Sequence, residues 1–368
     1  MEPVVPPAYI SRPSLAHPQH EITTDEICAD IARAHHDHPR LAALLRIARA
    51  TKVATRRFTR PLGDRTISGD APITERNAAA YHDAARLAAT AAARALAQTG
   101  LEPTDIDCVI TSHTTSWTVP GLDVHLLDEL GIRRDVRRVP MSTLGCVGGA
   151  QALVKAVDHV AAYPGSRVLV VVAEALSSVY NHADTTTESM IYKALFGDSA
   201  GAFVVTDTPL GPGLEVDSVW EYVLPVSRDR YRGRLDATGL HFLSTKAATE
   251  STTDVMPALH EFLDRAGIDT PEFVAVHPGG PRIIADAERG LGIDQEPGVD
   301  DEAKMTRHSW ASLRQRGNLG GVAILDVLAR TYDDPPAEGA RGVLFAFGPG
   351  FATAACTATW RDQGRLPA

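Results

Sequence analysis

The sequence predicts a layered α/β fold built from two similar halves, and three observations predict it. Apolar runs of strand length alternate with Ala-rich stretches of helical period along most of the 368 residues, the pattern of helices packed on sheets. A chain of this length exceeds one compact core of ordinary size. In each half, moreover, an apolar strand runs into a glycine-bearing loop holding a reactive side chain, at Cys146 in the first half and at His277 in the second. Pro and Gly content rises across Asp207-Thr208-Pro209-Leu210-Gly211-Pro212, which sets the halves at 1–207 and 208–368. The repetition is one of pattern, without a matched residue string.

In chain order, residues 77–98 are Ala-rich with few breakers and end near Gly100, a residue suited to a left-handed helix cap. Residues 107–112 read as a buried strand, and Pro120-Gly121 breaks the chain before a helix at Leu122–Leu130. Residues 150–162 keep apolar side chains three and four apart, and the β-branched run 167–172 suits a strand covered on both faces. Thr185-Thr186-Thr187-Glu188 fits a capping box that opens another helix, with a strand after it at 202–205. The second half predicts helices at 253–266, 281–291 and 318–331, with strands at Phe273–Val276, 343–347 and 351–357. Helices packed between and outside two sheets are the expected arrangement.

Composition narrows the function. A formal charge of −10 repels phosphodiester backbones and argues against nucleic acid as a partner. No apolar run approaches the roughly 20 residues that span a bilayer. The opening Met1-Glu2-Pro3 has an acid where a signal peptide has bases, so a cytoplasmic protein is expected. Cysteines 28, 108, 146 and 356 show neither CxxC pairing nor metal-ligand spacing, and His35-His36-Asp37-His38 lacks a second ligand cluster. No metal is expected.

Three residues carry chemistry. Cys146, in Leu144-Gly145-Cys146-Val147-Gly148-Gly149, lies where a strand hands over to a helix, whose free amides and positive end favour thiolate. His277, in Val276-His277-Pro278-Gly279-Gly280, protrudes from a strand end and is placed to form a thiolate–imidazolium pair with it. Asn318, in Gly317-Asn318-Leu319-Gly320-Gly321, supplies an amide donor. Taken singly these read equally as a buried structural cysteine, a hydrogen-bonded histidine and a local N-cap. Together they suit carbon–carbon bond formation on thioesters. Glu174 and Asp198, each among small or apolar residues near a strand end, read as carboxylates satisfying loop amides.

Leu-Gly-Cys146-x-Gly-Gly, Phe196-Gly-Asp, His277-Pro-Gly-Gly, Gly-Asn318-Leu and Phe347-Gly-Pro-Gly stand in the order seen in type III polyketide synthases. The chain resembles this chalcone synthase-like branch of the thiolase superfamily from about residue 45 to 360. The resemblance implies a thiolase-like duplicated αβαβα layered fold and a homodimeric acyltransferase without a cofactor. Its substrates would be an acyl-CoA starter loaded on Cys146 and malonyl-CoA units added by decarboxylative condensation, giving a pyrone or resorcinol-like product. It implies that His277 and Asn318 donate to the developing enolate and oxyanion, and that Phe196 and Phe242 are aromatic gatekeepers. It also implies that Thr115, Ser116, Trp117, Val119, Leu176, Val179 and Gly320 line the cavity, with Val119 reaching the partner subunit's. Arg46, Arg49 and Lys52, at three-residue spacing, match its coenzyme A-binding basic residues; a solvated helix face is the bland alternative. Gly320-Gly321 replace a serine pair of the plant members, and no cysteine stands in Leu176-Ser177-Ser178-Val179-Tyr180, which argues against a tetrahydroxynaphthalene product. A ketoacyl synthase III-like single condensation and a Cys–His hydrolase or acyltransferase remain the other readings.

Overall fold

The structure, a computed structural model, describes residues 7–293 and 304–362; the opening residues 1–6, used above for localisation, lie outside them. The first half contains β1 (Ala8–Ile10), β2 (Ser14–Ala16), β3 (His20–Thr23), α1 (Thr24–Ala34), α2 (Leu41–Ala50), β4 (Thr55–Phe58), α3 (Arg65–Ser68) and α4 (Ile73–Thr99). It continues through β5 (Cys108–His113), α5 (Leu122–Leu130), β6 (Arg137–Ser142), α6 (Gly148–Ala162), β7 (Val168–Glu174), α7 (Thr187–Leu195) and β8 (Ser199–Thr206). The second half contains β9 (Gly213–Val223), β10 (Tyr231–Asp236), β11 (Gly239–Ser244), α8 (Ser251–Arg265), β12 (Phe273–Val276) and α9 (Pro281–Gly290). It ends with α10 (Arg307–Arg316), α11 (Ala323–Asp333), β13 (Arg341–Phe347) and β14 (Ala352–Arg361).

The strands that matter form one ten-stranded sheet of order β12-β13-β14-β9-β1-β8-β7-β5-β6, with β2 added on β8. The sequence predicts two sheets. They are continuous because β1, only three residues long, pairs antiparallel with β8 on one side and β9 on the other. A three-residue strand has too few positions to show a period, so its role is invisible in sequence.

Period-two alternation sorts the central strands between two cores. Ile110, Val168, Val170, Val172 and Val205 face α6 and α11, whereas Val109, Leu169, Val171 and Val204 face α4. Strand β7 is therefore buried along its whole length, as its unbroken β-branched run predicts. Each such side chain contributes about 1.5–3 kcal/mol through the area it removes from water. The alanines of α4 let that helix sit close to the sheet, and Gly100 (φ 68°) ends it in the left-handed conformation. The two halves meet closely where α6 passes the turn before α11. A Cβ on Gly149 would fall 2.1 Å from the carbonyl oxygen of Gly321, so only a hydrogen fits there.

Two boundaries differ from the sequence reading. The capping box at 185–188 does not form, because Thr186 is the N-cap and accepts from the amide of Ser189, which puts Glu188 one position too early. The helix expected at 318–331 starts at Ala323. Asn318 instead makes a strand-like bridge beside Phe196, donating its amide to Leu195 and accepting from that of Gly197. Helix α10 and strand β9 escape the sequence reading: α10 is mostly polar and β9 is half exposed.

Candidate active site

Cys146 lies in a 3-10 turn, Gly145–Val147, between β6 and α6. Thr143 (φ 63°) and Gly145 (φ 57°) both adopt the left-handed region, reversing the chain sharply just before the cysteine. The Gly145 amide is held by Thr114 Oγ1 at 2.9 Å. His277 follows β12 with its own amide bonded to the Phe345 carbonyl, and neither ring nitrogen has a hydrogen-bond partner. Asn318 is fixed at both ends: Oδ1 accepts the Gly320 amide at 2.8 Å, and Nδ2 donates to the Gly279 carbonyl at 3.3 Å. That orientation leaves Nδ2 3.7 Å from Cys146 Sγ.

All three side chains are buried, with 8% of Cys146, 1% of His277 and 3% of Asn318 exposed. They line one cavity of about 370 Å³, otherwise walled largely by apolar groups such as Ile191, Leu195, Ile283, Phe347 and Phe351. Burial dominates the electrostatics. It pushes the Cys146 thiol up to about 12, against the lowering effect of Asn318 and Tyr231, and pushes the His277 imidazole down to about 3. The sequence reading puts a thiolate–imidazolium pair here. In the structure desolvation opposes the helix end and favours the thiol and the neutral imidazole.

Tyr231 is the residue that sequence reasoning missed. It lines the same cavity, and its hydroxyl lowers the pKa of the Cys146 thiol. It stands in an arginine-rich stretch, Arg228-Asp229-Arg230-Tyr231-Arg232, with no motif to mark it.

The remaining candidates fall into distinct places. Thr115, Ser116, Trp117 and Phe242 line a second cavity of about 320 Å³, together with Thr114, Ser142, Thr143, Ser178 and Pro349. Phe242 reaches back into an aromatic group, edge-on to Phe196 at 5.7 Å and 5.9 Å from Tyr231 between ring centres. Phe196 is fully enclosed, stacked 5.0 Å from Tyr192. Leu176 and Val179 pack in the core around these rings and line neither cavity. Gly320 (φ 61°) lies against them, with the Leu176 side chain 3.2 Å from where a Cβ would stand. Val119, 78% exposed, projects from the surface. Arg46, Arg49 and Lys52 are exposed on and after α2, beside Ile47, Ala50 and Thr51, which line the first cavity. Lys52 is also held 4.7 Å over the Trp310 ring.

Among the described residues, no group of three or more His, Cys, Asp or Glu side chains is placed to hold a metal, and no helix is long and apolar enough to cross a membrane.

Comparison with known proteins agrees with this architecture. The N-terminal domain profile of the chalcone and stilbene synthases matches residues 17–209, and the C-terminal domain profile matches residues 215–357. A 1,3,6,8-tetrahydroxynaphthalene synthase of Streptomyces coelicolor is 33% identical over 96% of this chain and 92% of its own. A phloroglucinol synthase of Pseudomonas fluorescens is 30% identical over 95% of this chain and 98% of its own. The crystal structure of the Streptomyces coelicolor tetrahydroxynaphthalene synthase superimposes with a TM-score of 0.89, covering 96% of this chain and 99% of that one. Germicidin synthase of the same organism, a type III polyketide synthase 32% identical, superimposes with a TM-score of 0.87 over 96% of this chain and 99% of its own. With a ten-stranded sheet carrying a buried cysteine, histidine and asparagine around one cavity, the chain belongs to the chalcone and stilbene synthase family of type III polyketide synthases.

Proposed function

We propose that the protein takes an acyl group from coenzyme A onto Cys146, decarboxylates malonyl-CoA and condenses the resulting enolate with the bound thioester, repeating the step before the chain cyclises to a pyrone or resorcinol-like product. The observation that carries this reading is the fixed Asn318 amide beside Cys146 Sγ, with His277 on the same apolar cavity. The thiol gives its proton to His277 as it attacks the starter. The tetrahedral oxyanion and, later, the enolate oxygen each develop charge in a cavity poor in water. There the Asn318 Nδ2 and the His277 ring N–H act as preorganised donors. A malonyl carboxylate against this apolar wall is poorly solvated, which favours its departure as neutral carbon dioxide.

Arg46, Arg49 and Lys52, exposed at the mouth of this cavity, are the groups proposed to meet the coenzyme A phosphates, while Phe196 and Phe242 gate the passage to the second cavity. The halves 1–207 and 208–368 divide the labour, the first giving the nucleophile and the second its two partners. The enzyme acts in the cytoplasm as a homodimer, with Val119 projecting towards the partner, and needs no cofactor beyond its thioester substrates. A pyrone or resorcinol product is kept although a relative forms tetrahydroxynaphthalene, because no cysteine stands in Leu176-Ser177-Ser178-Val179-Tyr180.

The test is mass spectrometry of products from a panel of acyl-CoA starters with isotopically labelled malonyl-CoA. More than one added two-carbon unit per starter supports the reading. A single added unit points to a ketoacyl synthase III-like enzyme, and free acid without malonyl-CoA consumption to a hydrolase.

A further inference from the structure

The second cavity holds a polar pair that the reaction as described leaves unused. His113 ends β5, is almost fully buried, and lines this cavity together with Ser116. Its Nδ1 lies 2.6 Å from the carbonyl oxygen of Ala173. A carbonyl can only accept, so Nδ1 carries the ring proton and Nε2 presents a bare lone pair. Ser116 Oγ lies 2.6 Å from that Nε2 and must donate to it. The result is a hydroxyl paired with a neutral imidazole whose tautomer is fixed from behind, the arrangement by which a weak hydroxyl is made an effective proton acceptor. The ring is walled in by Tyr81 of α4, edge-on at 6.4 Å, and burial holds both groups neutral, the imidazole below its usual range and the phenol above.

Ser116 is only half buried and faces the cavity beside the hydroxyls of Thr114, Thr115, Ser142, Thr143 and Ser178. Thr114 also accepts the Gly145 amide, which puts this wall one residue from the nucleophile.

We infer that Ser116 and His113 form a proton relay that drives ring closure of the finished chain, a role separate from the condensing groups around Cys146. The inference rests on the proposed polyketide synthase reading. In the step, an enol hydroxyl of the Cys146-bound chain gives its proton to Ser116 Oγ while the Ser116 proton passes to His113 Nε2. The enol oxygen forms a bond to the thioester carbon and the carbon–sulfur bond breaks. The lactone leaves, and the imidazolium proton returns through Ser116 to the Cys146 thiolate. One proton has moved from enol to sulfur, and no oxidant or reductant is consumed. A positioned proton acceptor of this kind typically contributes 10²–10⁴-fold, stated here as an order of magnitude.

The experiment follows one enzyme loading with acyl-CoA starter and malonyl-CoA, reading carbon dioxide release and, by intact-protein mass spectrometry, the adduct on Cys146. Ser116→Ala removes the hydroxyl. His113→Gln keeps an acceptor for the Ser116 hydroxyl but cannot take up its proton. Both variants are expected to release carbon dioxide in the first cycle as the wild type does, to accumulate full-length acyl-enzyme, and to turn over about 100-fold more slowly. Ser116→Thr, which restores a hydroxyl, is expected to recover much of the turnover.

The inference is overturned if Ser116→Ala turns over at the wild-type rate without an accumulated adduct. It is equally overturned if His113→Gln behaves as wild type, or if either variant loses the first carbon dioxide release, since the pair would then serve only to shape the loop. Absence of carbon dioxide release from the wild type itself would count against the polyketide synthase reading instead.

Discussion

The two cavities that meet around the Phe196–Phe242–Tyr231 rings are of similar size and differ in the polar groups set into their apolar walls. In the first, the polar groups nearest Cys146 are fixed, as in Asn318, or unpartnered, as in His277. The other is edged by hydroxyls from Thr114, Thr115, Ser116, Ser142, Thr143 and Ser178. The difference teaches that charge and hydration are assigned to different rooms. Developing negative charge is met by a few preorganised donors where water is scarce, whereas an oxygen-rich chain is housed where many weak hydrogen bonds can follow its changing shape.

Four changes test that division, from the largest expected effect to the smallest. Cys146→Ala removes the atom that carries the chain, and acyl loading followed by radiolabel is expected to fall by more than about 1000-fold. Retained loading would move the nucleophile elsewhere and dissolve the comparison. Phe242→Ala removes the second room's ring that packs against Phe196 and Tyr231. Truncating a buried phenylalanine costs about 3–5 kcal/mol, measurable by urea unfolding, and the joined cavities are expected to give a broader spread of product lengths. An unchanged product spectrum would mean that this ring is not the partition.

Asn318→Ala leaves the cysteine in place but deletes one donor, and a loss of about 100-fold in malonyl-CoA decarboxylation is expected; a loss confined to KM would show that the amide only binds. The smallest effect concerns Glu174, beneath the second room, whose Oε2 accepts the amides of Thr114 and Thr115 while Oε1 has no partner. Burial pushes its carboxyl from 4.5 up to about 8. Between those values the folded protein holds a proton that the unfolded chain has released, so this group lowers stability as pH rises, until the pH passes its folded pKa. Glu174→Gln removes that dependence. The melting temperature of the variant relative to wild type is expected to rise by a few degrees from about pH 5 to about pH 8. A difference that does not change with pH would show the carboxylate to be ionised and paired.

Much of this division was legible in the chain. The glycine-rich frames around Cys146, His277 and Asn318 mark residues held in tight turns at element ends, and the structure places all three on one cavity. The central strands were legible because a strand buried on both faces is an unbroken apolar run. What escaped has physical reasons. Tyr231 reaches the sulfur from a hairpin whose strand β10 is otherwise exposed and rich in arginine, so no apolar pattern announces it. The burial that pushes the Cys146 thiol up escaped because the helix end is visible in sequence, whereas the desolvation that opposes it exists only once the cavity closes. His113 and Ser116 stand three apart in a threonine-rich stretch, and only the Ala173 carbonyl from the neighbouring strand, by fixing the tautomer, makes a pair of them.

Strand β1 has a consequence that reaches the catalytic cycle. Its three residues pair with β8 of the first half on one edge and β9 of the second on the other, so the nucleophile and its two companions, which come from opposite halves, are stitched into a single stiff plate. A catalyst that lengthens its cargo repeatedly has to accommodate that growth by side-chain rearrangement at the aromatic partition, because a hinge between the halves would separate the sulfur from the groups it works with at every round.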